Sequence, residues 1–237
     1  MRILITNDDG IQAPGIRKLA ETAKQFGEVW VIAPDGQRSA ASHSYNFHHP
    51  VKVSAWDFPV EDVKAYACSG TPTDCIRVGV LGLMPEKPDI VMTGINQGYN
   101  IAGDIQYSAT VGSALEAAFL GIRAIAFSQA ELEYSEIVDK YLPEIMEECI
   151  KIDPGKNRIM NVNFPACRPE DCKGILRDCV VSQDPFYEDI YQEEVLPEGV
   201  SEYHLIYKRH WEAASEGTDL FAVGHNYISI GPVSNIS

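Results

Sequence analysis

Basic residues are scarce in this chain of 237 residues, which has 19 lysines and arginines against 34 aspartates and glutamates. The formal net charge of −15 at pH 7 repels a long polyanion, so the composition argues against a protein that coats DNA or RNA. A small phosphorylated ligand remains compatible with this charge if a bound cation offsets the repulsion locally. The composition therefore predicts no nucleic-acid polymer as a partner.

Long hydrophobic runs are also missing. A membrane-spanning helix needs about 18 or more consecutive apolar residues, and no segment approaches that length. The apolar run at residues 3–5 is too short for the hydrophobic part of a signal peptide and is typical of a buried strand. We therefore expect no membrane partner and a cytoplasmic location.

Cysteines with metal-binding spacing are absent, although the chain has six cysteines. No C-x-x-C pair occurs, and no histidine lies at zinc spacing from Cys167, Cys172 and Cys179. We expect reduced thiols, as is usual in the cytoplasm.

Strand and helix patterns alternate through the first half of the chain. Strands are predicted over residues 2–7, 29–34, 51–56, 63–68, 88–93 and 124–127, and helices over 14–26, 71–83, 108–120 and 135–150. Continuous apolar strands separated by helices are typical of a parallel sheet with both faces covered. Further strands are predicted over 158–164, 175–181, 203–208 and 227–230, with few helices between them. This last third predicts hairpins that extend from an α/β main sheet.

Oxygen-bearing side chains follow three of the predicted strands. Asn7, Asp8 and Asp9 come directly after the first strand. Ser39 lies in a polar segment after the second strand, and Asn96 follows a later one. Ligands of open α/β sheets bind outside the carboxyl ends of the strands, so we expect these side chains to meet at one edge.

The pair Asp8 and Asp9 suggests a cation site, because adjacent carboxylates repel each other unless a cation joins them. Hard ions such as Mg²⁺ and Mn²⁺ prefer oxygen ligands. A hydroxyl from Ser39 and an amide oxygen from Asn96 would complete such a set. An aspartate pair alone is equally compatible with a solvated turn or a helix cap, and its position at a strand end favours the metal.

Ser108 and Thr110 begin the predicted helix 108–120. The first N–H groups of a helix, together with hydroxyls, bind anions readily, which suggests a phosphate contact. Plain capping of the helix by Ser108 is an equally good interpretation. The loop histidines, including His43, are expected to be ordinary surface residues.

Several motifs resemble the SurE (survival protein E) family of nucleotidases, in the family's order and over nearly the whole chain. The matching strings are ILITNDDG at 3–10, RSAAS at 38–42, SGTPTDC at 69–75, GIN through YSATV at 94–111, NVNFP at 161–165 and TD through YISI at 218–230. Several linked motifs are far more specific than one pattern.

The resemblance implies a three-layer α/β/α fold with a mostly parallel, Rossmann-like sheet and C-terminal β-hairpin extensions. It implies a single domain over 1–237, in which 1–130 forms the core with the active site and 131–237 supplies the remaining elements and oligomerisation hairpins. The implied cofactor is one divalent ion, Mg²⁺ or Mn²⁺, per subunit. The implied assembly is a homodimer or homotetramer that exchanges C-terminal elements.

The implied activity is hydrolysis of nucleoside 5′-monophosphates, with 3′-monophosphates and short polyphosphate as further substrates. By motif position, the metal ligands fall on Asp8, Asp9, Ser39 and Asn96, and the catalytic residues on Asp8, Asp9 and Asn96. The small nucleotide substrate is expected to contact its phosphate-binding residues, Asn7, Ser39, Asn96, Ser108 and Thr110.

Ala40 and Ala109 stand where the family usually has glycine, and each adds a methyl group beside the expected site. One alternative is therefore a family member with weakened catalysis. A second alternative is a Mg²⁺-binding phospho-receiver or ligand-sensing module, because such modules also have an acidic pair at the end of their first strand. A third is an enzyme in which Asp8 is the nucleophile and forms an aspartyl phosphate.

Overall fold

The computed structural model describes residues 1–131, 135–184, 186–211 and 214–234. Its strands are β1 (Arg2–Thr6), β2 (Glu28–Pro34), β3 (Val53–Ala55), β4 (Lys64–Cys68), β5 (Ile90–Gln97), β6 (Arg123–Gln129), β7 (Ile159–Phe164), β8 (Ile175–Leu176), β9 (Tyr187–Val195), β10 (Ser201–Arg209) and β11 (Ile228–Val233). Its α-helices are α1 (Pro14–Ala23), α2 (Pro72–Val78), α3 (Ala109–Phe119), α4 (Glu136–Lys151) and α5 (Asp219–Gly224).

The main sheet has the strand order β3-β4-β2-β1-β5-β6-β7-β11-β8. From β4 through β7 every neighbouring pair is parallel, whereas β3 and β11 run antiparallel to β4 and β7. The strands β9 and β10 form a separate antiparallel hairpin. The mostly parallel sheet and the C-terminal hairpin confirm the predicted α/β class.

Helices cover both faces of the sheet, which explains why the three central residues of β1 are all apolar. Ile3 and Ile5 belong to a core cluster that they share with α1 and α4. Leu4, between them, belongs to the opposite cluster with α2 and α3. Successive side chains of a strand point to opposite faces, so a doubly covered strand must be apolar throughout. The result is the three-layer α/β/α arrangement.

The helix predicted over 71–83 changes type in its second half. Thr71 and Asp74 form a capping box at its start, in which each side chain accepts a hydrogen bond from the other's backbone N–H. The α-helical part ends at Val78, and a π-helix over Gly79–Leu83 continues it. The capping residue was therefore correctly predicted, and the helix type beyond Val78 was not.

The last third differs most from the sequence-based prediction. The strand predicted over 175–181 is only two residues long, Ile175–Leu176. The strand β9 was not predicted, because eight of its nine residues are exposed and it lacks a buried apolar stripe. It pairs with β10 over nine residues, from Tyr187–Arg209 to Val195–Ser201. None of the described helices has the length and apolar content needed to cross a membrane.

Candidate active site

The predicted ligand residues come from neighbouring strands. β1 lies between β2 and β5 and is parallel to both, so the carboxyl ends of the three strands share one edge. Asp8 and Asp9 follow β1, and Ser39 lies in the loop after β2. Asn96 is the next-to-last residue of β5 and does not follow it, because the pairing of β5 with β6 shifts register between Thr93 and Asn96 and then resumes.

Three hydrogen bonds hold these segments against the aspartate pair. The Arg38 N–H donates to the Asp8 carbonyl at 2.7 Å, which places the Ser39 loop beside β1. The Gln97 N–H donates to Asp9 Oδ2 at 3.1 Å, which does the same for the segment that carries Asn96. From the start of α3, the Thr110 hydroxyl donates to Asp8 Oδ1 at 2.5 Å.

Burial gives the two aspartates an unusual electrostatic character. Asp8 is 4% exposed, and desolvation raises the pKa of its carboxyl to about 6, against the Thr110 hydrogen bond that lowers it. The neighbouring charge of Asp9 raises the Asp8 pKa further. Burial also raises the pKa of Asp9, opposed by the Gln97 N–H. Two carboxylates in a region of low dielectric constant are stabilised by an added positive charge.

Asn7 provides an independent test of whether a cation fits. Its side chain is fully buried, and its Nδ2 donates to the Gly10 carbonyl at 2.9 Å. Its Oδ1 accepts no hydrogen bond from any described residue. A buried oxygen without a partner costs about 1–3 kcal/mol. An orphan amide oxygen directly before Asp8 and Asp9 is compatible with a hard divalent cation, which takes carboxylate and carbonyl oxygens.

Ser39 and Asn96 lie at the same edge and differ in exposure. Ser39 is exposed, and its hydroxyl accepts a hydrogen bond from Gln37 Nε2 at 3.0 Å. Asn96 is half-buried, and its Nδ2 donates to the Gly98 carbonyl at 2.9 Å. That bond engages the nitrogen of the amide and leaves Oδ1 as the atom suited to a cation.

The start of α3 has a structural task in addition to any contact with a ligand. Ser108 is the N-cap, and its hydroxyl accepts a hydrogen bond from the Val111 N–H at 3.0 Å. The Thr110 hydroxyl is engaged with Asp8. Capping by Ser108 is thus what the structure shows, and contacts of Ser108 and Thr110 with phosphate stay a prediction.

Ala40 and Ala109, the two departures from the family pattern, differ in backbone conformation. Ala40 is exposed and has φ +56°, in the left-handed region that favours glycine. Ala109 is the buried first residue of α3. The methyl group of Ala40 therefore strains its loop, whereas that of Ala109 suits a helix.

Replacing each alanine by glycine is expected to change stability in opposite directions. Ala40→Gly should raise the free energy of unfolding by about 0.5–1 kcal/mol, because relief of the left-handed strain exceeds the entropy cost of glycine. Ala109→Gly should lower it by a similar amount. Urea unfolding of both variants measures the difference, and a loss of stability in Ala40→Gly would contradict the left-handed assignment.

The structure also reveals contacts that sequence reasoning missed. His43, expected to be an ordinary surface residue, lies 2.9 Å from the buried carboxylate of Glu116. Arg77 donates to the other oxygen of Glu116 at 2.6 Å. The available signal was Glu116 itself, a single charged residue among the small and apolar residues of α3.

The parallel sheet with acidic side chains at its carboxyl edge defines an α/β protein of the class that binds small ligands beyond its strand ends. The chain belongs to the SurE family, since the sequence model described as survival protein SurE matches residues 3–184.

Similar proteins match this chain almost from end to end. A protein named 5′-nucleotidase SurE from Thermoanaerobacter sp. (strain X514) is 39% identical over 98% of this chain and 92% of its own length. A protein of the same name from Methylorubrum extorquens (strain PA1) is 36% identical, with the same coverage. The crystal structure of the SurE protein from Aquifex aeolicus superposes with a TM-score of 0.84 at 34% identity, covering 100% of this chain and 95% of that one.

Proposed function

We propose that this protein is a 5′-nucleotidase, which uses a divalent metal ion to hydrolyse nucleoside 5′-monophosphates to nucleoside and phosphate. The observation that carries the proposal is the buried carboxylate of Asp8, adjacent to Asp9, with hydrogen bonds that join the pair to the loop after β2, to the end of β5 and to the start of α3. The names of the full-length relatives support the same activity. Nucleoside 3′-monophosphates and short polyphosphate are proposed as further substrates.

The residues proposed to hold the ion are Asp8, Asp9, Ser39 and Asn96, with one Mg²⁺ or Mn²⁺ per subunit. The bound ion would polarise the phosphate and offset the negative charge of the two aspartates and of the substrate. This local positive charge matters because the whole chain has a net charge of −15.

The chain's own groups would orient the substrate and accept a proton. A carboxylate beside the ion, that of Asp8 or Asp9, would take the proton from the attacking water. The amide of Asn96 and the beginning of α3, with Ser108 and Thr110, would stabilise charge on the phosphoryl oxygens. Asn7 and Ser39 would complete the contacts to the phosphate.

A nucleotide panel after chelation and metal add-back tests this proposal. The chelated protein should release no phosphate, and Mn²⁺ or Mg²⁺ should restore release from nucleoside 5′-monophosphates. A phospho-receiver or ligand-sensing module would bind the ion without turnover. A covalent phosphoenzyme trapped on Asp8 would replace the proposed attack by water. Absence of metal-stimulated hydrolysis for every nucleotide would overturn the proposal.

We further propose that the hairpin β9–β10 joins copies of the chain. Its exposed apolar residues are Ile190, Tyr191, Val195, Val200, Tyr203, Leu205, Ile206 and Tyr207. A two-stranded hairpin is marginally stable by itself, and exposed apolar patches mark interaction surfaces. Exchange of this element would give the homodimer or homotetramer, and the mass in solution decides between them.

We also propose one domain over 1–237, because 1–130 and 131–237 both contribute strands to the nine-stranded sheet.

A further inference from the structure

The loop between β2 and β3 brings Ser39 to the site without regular secondary structure of its own. Residues 44–50 of this loop are all exposed, so little of it is held by a hydrophobic core. A ligand residue on such a loop depends on anchors elsewhere for its position, because a site works only when its supporting contacts fix its geometry. The position of Ser39 therefore depends on the contacts that hold this loop in place.

One anchor is the carboxylate of Glu116 in the middle of α3. Glu116 is 7% exposed and contacts two segments at once: its Oε2 lies 2.9 Å from His43 Nε2, and its Oε1 accepts from Arg77 Nη1 at 2.6 Å. The His43 hydrogen bond, together with Arg77, lowers the pKa of Glu116 against the effect of burial. A buried charge is unfavourable unless it is paired, so this pairing accounts for a glutamate in an otherwise small-residue helix.

The loop backbone also touches α3 beside this pair. A side chain at Gly112 would place its Cβ 2.8 Å from the Ser42 carbonyl oxygen and 2.9 Å from His43 Cα. Ser42 donates from its N–H to the Tyr107 carbonyl at 3.1 Å. The His43 ring stacks on Phe119 with centroids 5.6 Å apart. The loop therefore lies directly on the helix, and His43 is its polar contact to Glu116.

The same helix supports the aspartate pair through its first turn. Thr110, six residues before Glu116, donates its hydroxyl to Asp8. Helix α3 thus contacts Asp8 at its start and the Ser39 loop near its middle. Ser39 precedes His43 by four residues, so only a short stretch of chain separates the proposed ligand from the contact with Glu116.

We propose that Glu116 is a positioning residue, which holds the loop through His43 so that Ser39 meets Asp8 and Asp9 at the cation site. The inference rests on the proposed role of Ser39 as a ligand. It does not require that the substrate be a nucleotide.

The test is a double-mutant cycle of Mn²⁺ binding, measured by titration calorimetry on the full chain. The variants are Glu116→Gln, Ser39→Ala and the two combined. Supporting residues of metal sites typically change affinity by 10–100-fold, and we expect Glu116→Gln to weaken Mn²⁺ binding by about 10-fold. In the Ser39→Ala background the same substitution should change affinity by less than about 2-fold, because its effect passes through Ser39.

His43→Ala provides a second route that leaves the Glu116–Arg77 pair intact. This substitution lies on the loop and should reproduce most of the loss, even if Glu116→Gln is too unstable to study. Glu148→Gln is the matched control, since Glu148 is also a helical carboxylate, bound to Arg177 by two hydrogen bonds at 2.6 and 2.7 Å, and it should leave Mn²⁺ binding unchanged.

Two results would overturn the inference. One is an equal loss from Glu116→Gln with and without Ser39, and the other is no loss from either Glu116→Gln or His43→Ala. Failure of the proposed function gives a different result: the unaltered protein binds Mn²⁺ but hydrolyses no nucleotide. The double-mutant cycle of Mn²⁺ binding still tests whether Glu116 positions the loop. Where turnover is present, the loss should appear in the Mn²⁺ concentration for half-maximal rate more than in kcat.

Discussion

Asp8→Asn is expected to remove metal-dependent hydrolysis and, at the same time, to make the metal-free protein more stable. An asparagine has one ligand oxygen and no negative charge, so the ion loses its most buried proposed ligand. Metal stabilisation of the reacting phosphate is worth several kcal/mol, which corresponds to a fall in kcat/KM of about 10³-fold or more. Asp9→Asn should also lose metal-dependent turnover, since Asp9 is the second carboxylate of the pair.

The gain in stability follows from the burial of the Asp8 charge. The pKa of Asp8 is about 6 in the folded chain against an ordinary value of 3.8, so folding favours the protonated form. Above pH 6 the ionised carboxylate therefore lowers the free energy of unfolding, by an amount on the order of 3 kcal/mol. Asparagine is neutral and still accepts a hydrogen bond from Thr110. Most of that free energy should reappear in the metal-free variant.

Thermal and urea unfolding with and without Mn²⁺ separate the two effects. Mn²⁺ should raise the melting temperature of the unaltered protein and leave that of Asp8→Asn nearly unchanged, because only a bound ligand stabilises the folded state. Asp62→Asn is the control, since Asp62 has an exposed side chain and should show neither effect. Retention of full activity in both Asp8→Asn and Asp9→Asn would remove the basis of the metal assignment.

The parts of the fold that were predictable have strong local patterns. The strand β1 is apolar at each of its three central positions because both faces are covered, and α3 begins at a recognisable capping serine, Ser108. The edge on which Asp8, Asp9 and the neighbouring segments meet follows from the rule that parallel strands end together. These predictions needed only the period of the sequence and the identity of turn residues.

The parts that were missed leave no local signal in the sequence. Eight of the nine residues of β9 are exposed, so the strand lacks the buried apolar face that reveals a strand in a sequence. Glu116 meets His43 across 73 residues of sequence, and no local pattern encodes that distance. The left-handed conformation of Ala40 was similarly hidden, because alanine carries none of the preference for positive φ that glycine has.

Metal affinity is expected to fall steeply as the pH drops below about 6. Metal ligands must be deprotonated, and burial raises the pKa of Asp8 to about 6 and also raises that of Asp9. Between about pH 4 and 6, Mn²⁺ competes with at least one proton, so affinity should change by about 10-fold per pH unit. Above pH 6 the Asp8 carboxylate is ionised and the affinity should level off.

The stability of the metal-free protein should follow the opposite trend over the same range. Because the folded state binds the Asp8 proton more tightly than the unfolded chain does, the Asp8 contribution to stability is largest below about pH 4 and is lost as the pH rises through 6. Calorimetric titration of Mn²⁺ and unfolding in the presence of a chelator measure the two trends from pH 4.5 to 8. In Asp8→Asn the stability trend should flatten, apart from the effect of Asp9, and little Mn²⁺ binding should remain to be titrated. A Mn²⁺ affinity that stays constant between pH 5 and 7 would contradict the combination of a raised Asp8 pKa and a role of Asp8 as a ligand, since a carboxyl that is protonated below pH 6 must release its proton to bind the cation.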